Sequence, residues 1–140
     1  PEKESVFEYG KSEILKSGEE IAIIAVGNMV EETEKAVDEL AKNNIFPTFV
    51  NTRFIKPIDY DMIQKLAEKH RTIIIVEEGI KKGGYGEAIE VFIVENDLPN
   101  KVYVLAIDDV FVEQGSIDSL RKRIGISYKN ICEKVLELKE

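Results

Sequence analysis

Few residues in this chain could do chemistry, and their spacing places them where the chain changes direction. Arg53 and Lys56 stand in Asn51-Thr52-Arg53-Phe54-Ile55-Lys56-Pro57, directly after a short apolar run. Two cations in such a turn could grip a carboxylate or phosphate. They could equally form ion pairs with neighbouring acids, which are abundant. Glu77 and Glu78 follow a second apolar run. Paired carboxylates can act as general acid and base when their surroundings split their pKa values. Adjacent residues of a strand point to opposite faces, however, which argues against a cooperating pair. Glu77 is better suited to holding the turn Gly83-Gly84-Tyr85-Gly86 through its backbone N–H groups, in a structural or interface role. Gly83, Gly84 and Gly86 suggest backbone with positive φ, or the close approach of a ligand, a subunit or the next helix. Gly27-Asn28-Met29 could present a helix N-terminus to an anion, or could simply be a tight strand-to-helix turn. Neither a dinucleotide fingerprint nor a P-loop is present there.

The remaining reactive types lack partners in the pattern. His70, the only histidine, closes a predicted helix beside Arg71, where a capping role suits the helix dipole. No Ser–His or Cys–His pairing is recognisable, and no zinc-type His pattern exists. Cys132 lies on a predicted core face. No residue is assigned to catalysis, to a cofactor or to a metal. The expectation is a domain without a complete catalytic site, forming part of a larger enzyme.

The elements that must position these residues alternate regularly. Glu20–Val26 is a continuous apolar run, as expected for a strand covered on both faces. Met29–Lys42 has helical spacing, with Met29, Thr33, Ala36, Val37, Leu40 and Ala41 on one face, and Asn43-Asn44 ends it. Phe46–Val50 reads as a strand. Pro57 and Asp59 mark the start of a helix with Asp59 able to cap it; Met62, Ile63, Leu66 and Ala67 form its buried stripe. Thr72–Val76 is the next strand, and Tyr85, Ala88, Ile89, Phe92 and Ile93 form a further helical face. Val102–Ile107 is the last strand. Two short helices close the chain, one near Ser116 with Ile117, Leu120 and Ile124 inward. The other starts near Ser127 with Ile131, Cys132, Val135 and Leu138 inward. Residues 1–18 are a charged lead-in in which Ser12–Lys16 could be an edge strand. This alternation implies α/β architecture with a mostly parallel sheet and right-handed crossovers.

Composition limits the class. The 140 residues carry 19 basic and 27 acidic side chains, a net charge of −8. No basic stripe with interleaved aromatics appears, so nucleic acid is not an expected partner. Ile21–Val26 and Ile73–Val76 are far too short to span a bilayer, so no membrane partner is expected. One cysteine excludes an internal disulfide and a multi-cysteine metal cluster, and a cytoplasmic setting is the default. The chain opens at Pro1, and a domain excised from a longer polypeptide, occupying residues 1–140, is expected.

Taken in order, several segments resemble the C-terminal domain of transketolase-like, thiamine-diphosphate-dependent enzymes. They are Ile23–Met29, Arg53 to Asp59, Val76-Glu77-Glu78 with Gly83-Gly84-Tyr85-Gly86, and Asp109 to Gly115. The last, followed by Gly125-Ile126, is similar to the 1-deoxy-D-xylulose-5-phosphate synthase family. Asp108 and Gln114 depart from that family's usual Pro and His. The resemblance implies a five-stranded mixed sheet with one antiparallel edge strand, between helical layers. It implies thiamine diphosphate and magnesium in the full enzyme but none in this chain, since the cofactor motifs lie upstream. Upstream catalytic domains and a second subunit are the implied partners. The C-terminal domain of a 2-oxoacid dehydrogenase β subunit, or of a split transketolase, is an alternative. A free-standing regulatory or anion-binding α/β module is another.

Overall fold

The computed structural model describes residues 12–52, 58–78, 84–107 and 128–139. The strands are β1 (Ser12–Lys16), β2 (Glu20–Val26), β3 (Thr48–Thr52), β4 (His70–Glu78) and β5 (Lys101–Ile107). The helices are α1 (Val30–Ala41), α2 (Tyr60–Lys69), α3 (Tyr85–Glu95) and α4 (Tyr128–Lys139). A single 3-10 turn, Gly27–Met29, leads from β2 into α1. The strands form one five-stranded sheet in the order β1-β3-β2-β4-β5. Only β1 runs antiparallel to its neighbour; the other pairs are parallel. The mixed sheet with one antiparallel edge is the one that the resemblance implied.

The side-chain alternation of β2 explains the layering. Ile21, Ile23 and Ala25 face one side, where Ala36, Val37 and Leu40 of α1 and Ile131 and Val135 of α4 pack on them. Ala22, Ile24 and Val26 face the other, against Ile63 and Leu66 of α2 and Ile89 and Ile93 of α3. Successive Cβ atoms of a strand point to opposite faces, so β2 is apolar at every inner position because both faces are covered. Fully burying one such isoleucine contributes about 1.5–3 kcal/mol.

Two strands differ from the sequence pattern by two residues at each end. β3 begins at Thr48, not Phe46, because its register with β2 runs from Ala22↔Thr48 to Val26↔Thr52. Pro47 has no N–H for a ladder, and Phe46 is left 56% exposed. Its carbonyl instead accepts the Glu19 N–H at 3.0 Å. Gly18 allows that approach, since a Cβ there would lie 1.9 Å from the Phe46 oxygen. β4 is longer at both ends than Thr72–Val76: Glu20 of β2 pairs with His70 at its start, and β5 pairs with it as far as Glu78↔Ile107. The helix expected near Ser116 lies outside the described residues.

Candidate functional site

In a parallel α/β sheet, ligands bind outside the carboxyl ends of the strands, where Glu77, Gly84 and Gly86 converge. Glu77 sits near the end of β4 and is buried. Its Oε1 accepts the Tyr85 N–H at 3.0 Å and its Oε2 accepts the Gly86 N–H at 3.1 Å. These N–H groups open α3, with Gly84 at its N-cap. The carboxylate therefore occupies the positive end of that helix. Burial pushes the Glu77 carboxyl above its ordinary value; the two backbone hydrogen bonds oppose the shift and nearby Glu90 adds to it. Gly86 is needed for close packing: a Cβ there would stand 2.6 and 2.7 Å from the γ-methyls of Val104 and 3.0 Å from Glu77 Oε2.

A second polar group lies at the same end of the sheet. Asp59 Oδ1 accepts the Met62 N–H at 3.1 Å, capping α2. Its Oδ2 accepts the Ser12 N–H at 2.9 Å, tying the first residue of β1 to the same helix start. The Ser12 and Thr52 hydroxyls lie 3.2 Å apart. The Tyr85 ring is buried beside Thr52, and among the described residues its hydroxyl meets no partner at hydrogen-bond geometry. Burial pushes that hydroxyl up to about 12; neighbouring Thr52 pulls the other way, and Asp59 adds to the rise.

Arg53, Lys56 and Gly83 lie outside the described residues, as does the segment from Asp109 to Gly115. Glu77, Gly84 and Gly86 are brought together. Glu78 ends β4. Gly27 has φ +61 and heads the tight turn into α1. His70 is a buried link between elements. Its Nδ1 lies 2.8 Å from the Leu66 carbonyl oxygen, and its Nε2 lies 2.7 Å from Thr48 Oγ1. The carbonyl can only accept, which assigns the proton to Nδ1. The Thr48 hydroxyl accepts the Gly18 N–H at 2.8 Å, leaving its own proton for Nε2.

The sequence pattern missed Glu32. It is buried on α1, and its Oε2 accepts the Tyr128 N–H at the start of α4, at 2.9 Å. The available signal was position: Glu32 falls on the apolar stripe of Met29, Thr33, Ala36 and Leu40, where a carboxylate requires a partner. A cleft of about 730 Å³ lies at the opposite, amino end of the strands, with Lys69, Arg71, Lys101 and Asn100 in its wall. The C-terminus of α2 points there, and cations favour that end of the dipole.

Among the described residues no three His, Cys, Asp or Glu side chains are placed to hold a metal ion. Both Glu77 oxygens are already bonded to the chain's own backbone. None of the helices among them is long and apolar enough to cross a membrane.

Residues 10–131 match the family described as Transketolase, C-terminal domain. The chain belongs to that family. Among its relatives, the 1-deoxy-D-xylulose-5-phosphate synthase of Dehalococcoides mccartyi is 42% identical over 131 residues, covering 92% of this chain and 20% of the synthase. The Dictyoglomus turgidum protein of the same name is 39% identical over 133 residues, covering 95% of this chain and 22% of its own length. The chain thus spans about one fifth of these curated relatives. Among solved structures, a split-gene transketolase described as an inactive β4 tetramer superposes with a TM-score of 0.83 at 26% identity, covering 94% of this chain and 43% of its own. A 2-oxoglutarate:ferredoxin oxidoreductase from Magnetococcus marinus shares the fold, with a TM-score of 0.61 at 14% identity.

Proposed function

We propose that this transketolase C-terminal domain is the structural third domain of a cytoplasmic 1-deoxy-D-xylulose-5-phosphate synthase, and that it does no chemistry itself. The full enzyme condenses pyruvate with glyceraldehyde 3-phosphate, with loss of carbon dioxide, as a transferase of isoprenoid and thiamine biosynthesis. Its thiamine diphosphate and magnesium belong to upstream domains. This domain supports those domains and the dimer, with Arg53, Lys56 and the Glu77–glycine turn as contact elements. The observation that carries the reading is identity of 42% across 92% of the chain to a synthase five times longer. The Glu77 carboxylate supports it, because that group accepts two backbone N–H groups of the chain itself and braces a turn. The likeness to a split transketolase keeps a separate-subunit reading open, but at the lower identity of 26%.

Two measurements test this. Calorimetric titration of the chain with thiamine diphosphate and magnesium should give no binding heat; a saturable isotherm would sink the non-catalytic reading. Replacing the matching stretch of the Dehalococcoides mccartyi synthase with this chain should keep product formation within about tenfold, a loss below 1.4 kcal/mol in barrier terms. A folded but inactive chimera would refute the synthase assignment.

A further inference from the structure

α3 carries apolar side chains on its outer side as well as on its buried face. Tyr85, Ile89 and Ile93 are buried in the core. Yet Val91 is 47% and Val94 73% exposed. Phe92 stacks on Tyr60 with ring centroids 4.8 Å apart, and Tyr60 is itself 40% exposed. Helical spacing sets Val91 and Phe92 on the side of Ala88, and Val94 continues the surface three residues beyond Val91. Exposed apolar side chains grouped on one helix mark a docking site, and aromatic residues are enriched in such sites.

Charge indicates what covers it. Residues 84–100 include Glu87, Glu90, Glu95 and Asp97 but no lysine or arginine. A second copy docked through the same face about a two-fold axis would set these acids against their own images, and such like-charge juxtaposition disfavours association. The fitting partner has an apolar centre edged with lysine or arginine. The chain spans only about 20% of its curated relatives, so most of the polypeptide in such an enzyme lies in other domains. We infer that the Tyr60–Val91–Phe92–Val94 face docks against an apolar, basic-edged surface on another domain of the same longer polypeptide. The existence of that domain rests on the synthase reading above.

The test compares amide hydrogen exchange of α3 in the isolated chain and in the Dehalococcoides mccartyi chimera. Docking should slow exchange in the second half of α3 by about tenfold or more, since a packed helix opens less often. Val94→Asp should restore fast exchange in the chimera while leaving the melting temperature of the isolated chain unchanged. Slowed, Val94-dependent exchange supports the docking face whether or not the chimera turns over substrate. An active chimera whose α3 exchanges as in the isolated chain overturns the docking face and leaves the synthase reading standing. An inactive chimera with unprotected α3 overturns both. Concentration-dependent dimerisation of the isolated chain, abolished by Val94→Asp, would overturn the inference in favour of a second copy.

Discussion

The Glu77 carboxylate accepts two N–H groups at the first turn of α3, doing from β4 what a capping side chain does from the N-cap position. Glutamine has one acceptor oxygen and would turn its NH₂ toward the second N–H. Glu77→Gln should therefore cost about 1–3 kcal/mol at pH 7, the penalty of an unsatisfied buried donor, measured by chemical denaturation. The pH dependence has a defined sign. Burial raises the folded-state pKa of Glu77 above its ordinary value of 4.5. Between the two values the folded state holds more protons than the unfolded one. The stability from this titration is thus fully present below the ordinary value and is lost as pH rises through the folded one. The gap between the native chain and Glu77→Gln should be widest at the acidic end and narrow across that window. A gap that widens with pH would contradict the assignment. Gly86 is constrained by the same packing. Gly86→Ala should cost about 1–3 kcal/mol by overpacking, because the γ-methyls at 2.6 and 2.7 Å belong to stiff, buried Val104. In a Val104→Ala background most of that added cost should vanish, which a double-mutant cycle reads directly.

At the scale of elements, α4 depends on a residue almost a hundred positions earlier. Glu32 of α1 accepts the Tyr128 N–H, and Ile131 and Val135 then pack on the α1 side of the sheet. Glu32→Leu should leave that donor unpaired and cost about 1–2 kcal/mol, with faster amide exchange in the first turn of α4. Glu32→Gln, which keeps an acceptor, should recover most of the loss. Unchanged exchange in Glu32→Leu would mean that packing alone holds the helix start. The place of Glu32 on the apolar stripe was legible in the sequence, but its partner was not, because Tyr128 lies 96 positions away. Elements whose cause is local were legible. β2 starts and stops where its apolar run does, and Asp59 caps α2 as its residue type predicts. β3 was misplaced by two residues at each end, since its limits are set by pairing with β2, which no local pattern contains. The Glu77–Gly86 contact spans β4 and α3; its members were visible in the sequence, but the Val104 methyls that make Gly86 necessary were not.

For the whole molecule, the alternation of β2 and β4 assigns neighbouring residues to different helical layers. Ile74 packs in the α1–α4 layer, while Ile73 and Ile75 pack in the α2–α3 layer. The sequence showed that both faces are covered, but not which helix covers which face, because that depends on the direction of each crossover. The architecture has a consequence for cooperativity. β2 and β4 are adjacent, paired from Ile21↔Thr72 to Ala25↔Val76, and neither helical layer keeps an apolar floor if that pair opens. The two layers should therefore melt together. Ile74→Val and Ile75→Val each remove one methylene from opposite faces and should each cost about 0.5–1.5 kcal/mol. Either substitution should lower one shared transition, with α1 and α2 losing exchange protection at the same denaturant concentration. If Ile74→Val released α1 and α4 while α2 and α3 stayed protected, the layers would be separate cooperative units. The shared sheet would then be a platform that outlasts the helices on one side. The continuous burial of β2 and β4 on both faces favours the single transition, because no strand face is polar enough to persist in water uncovered.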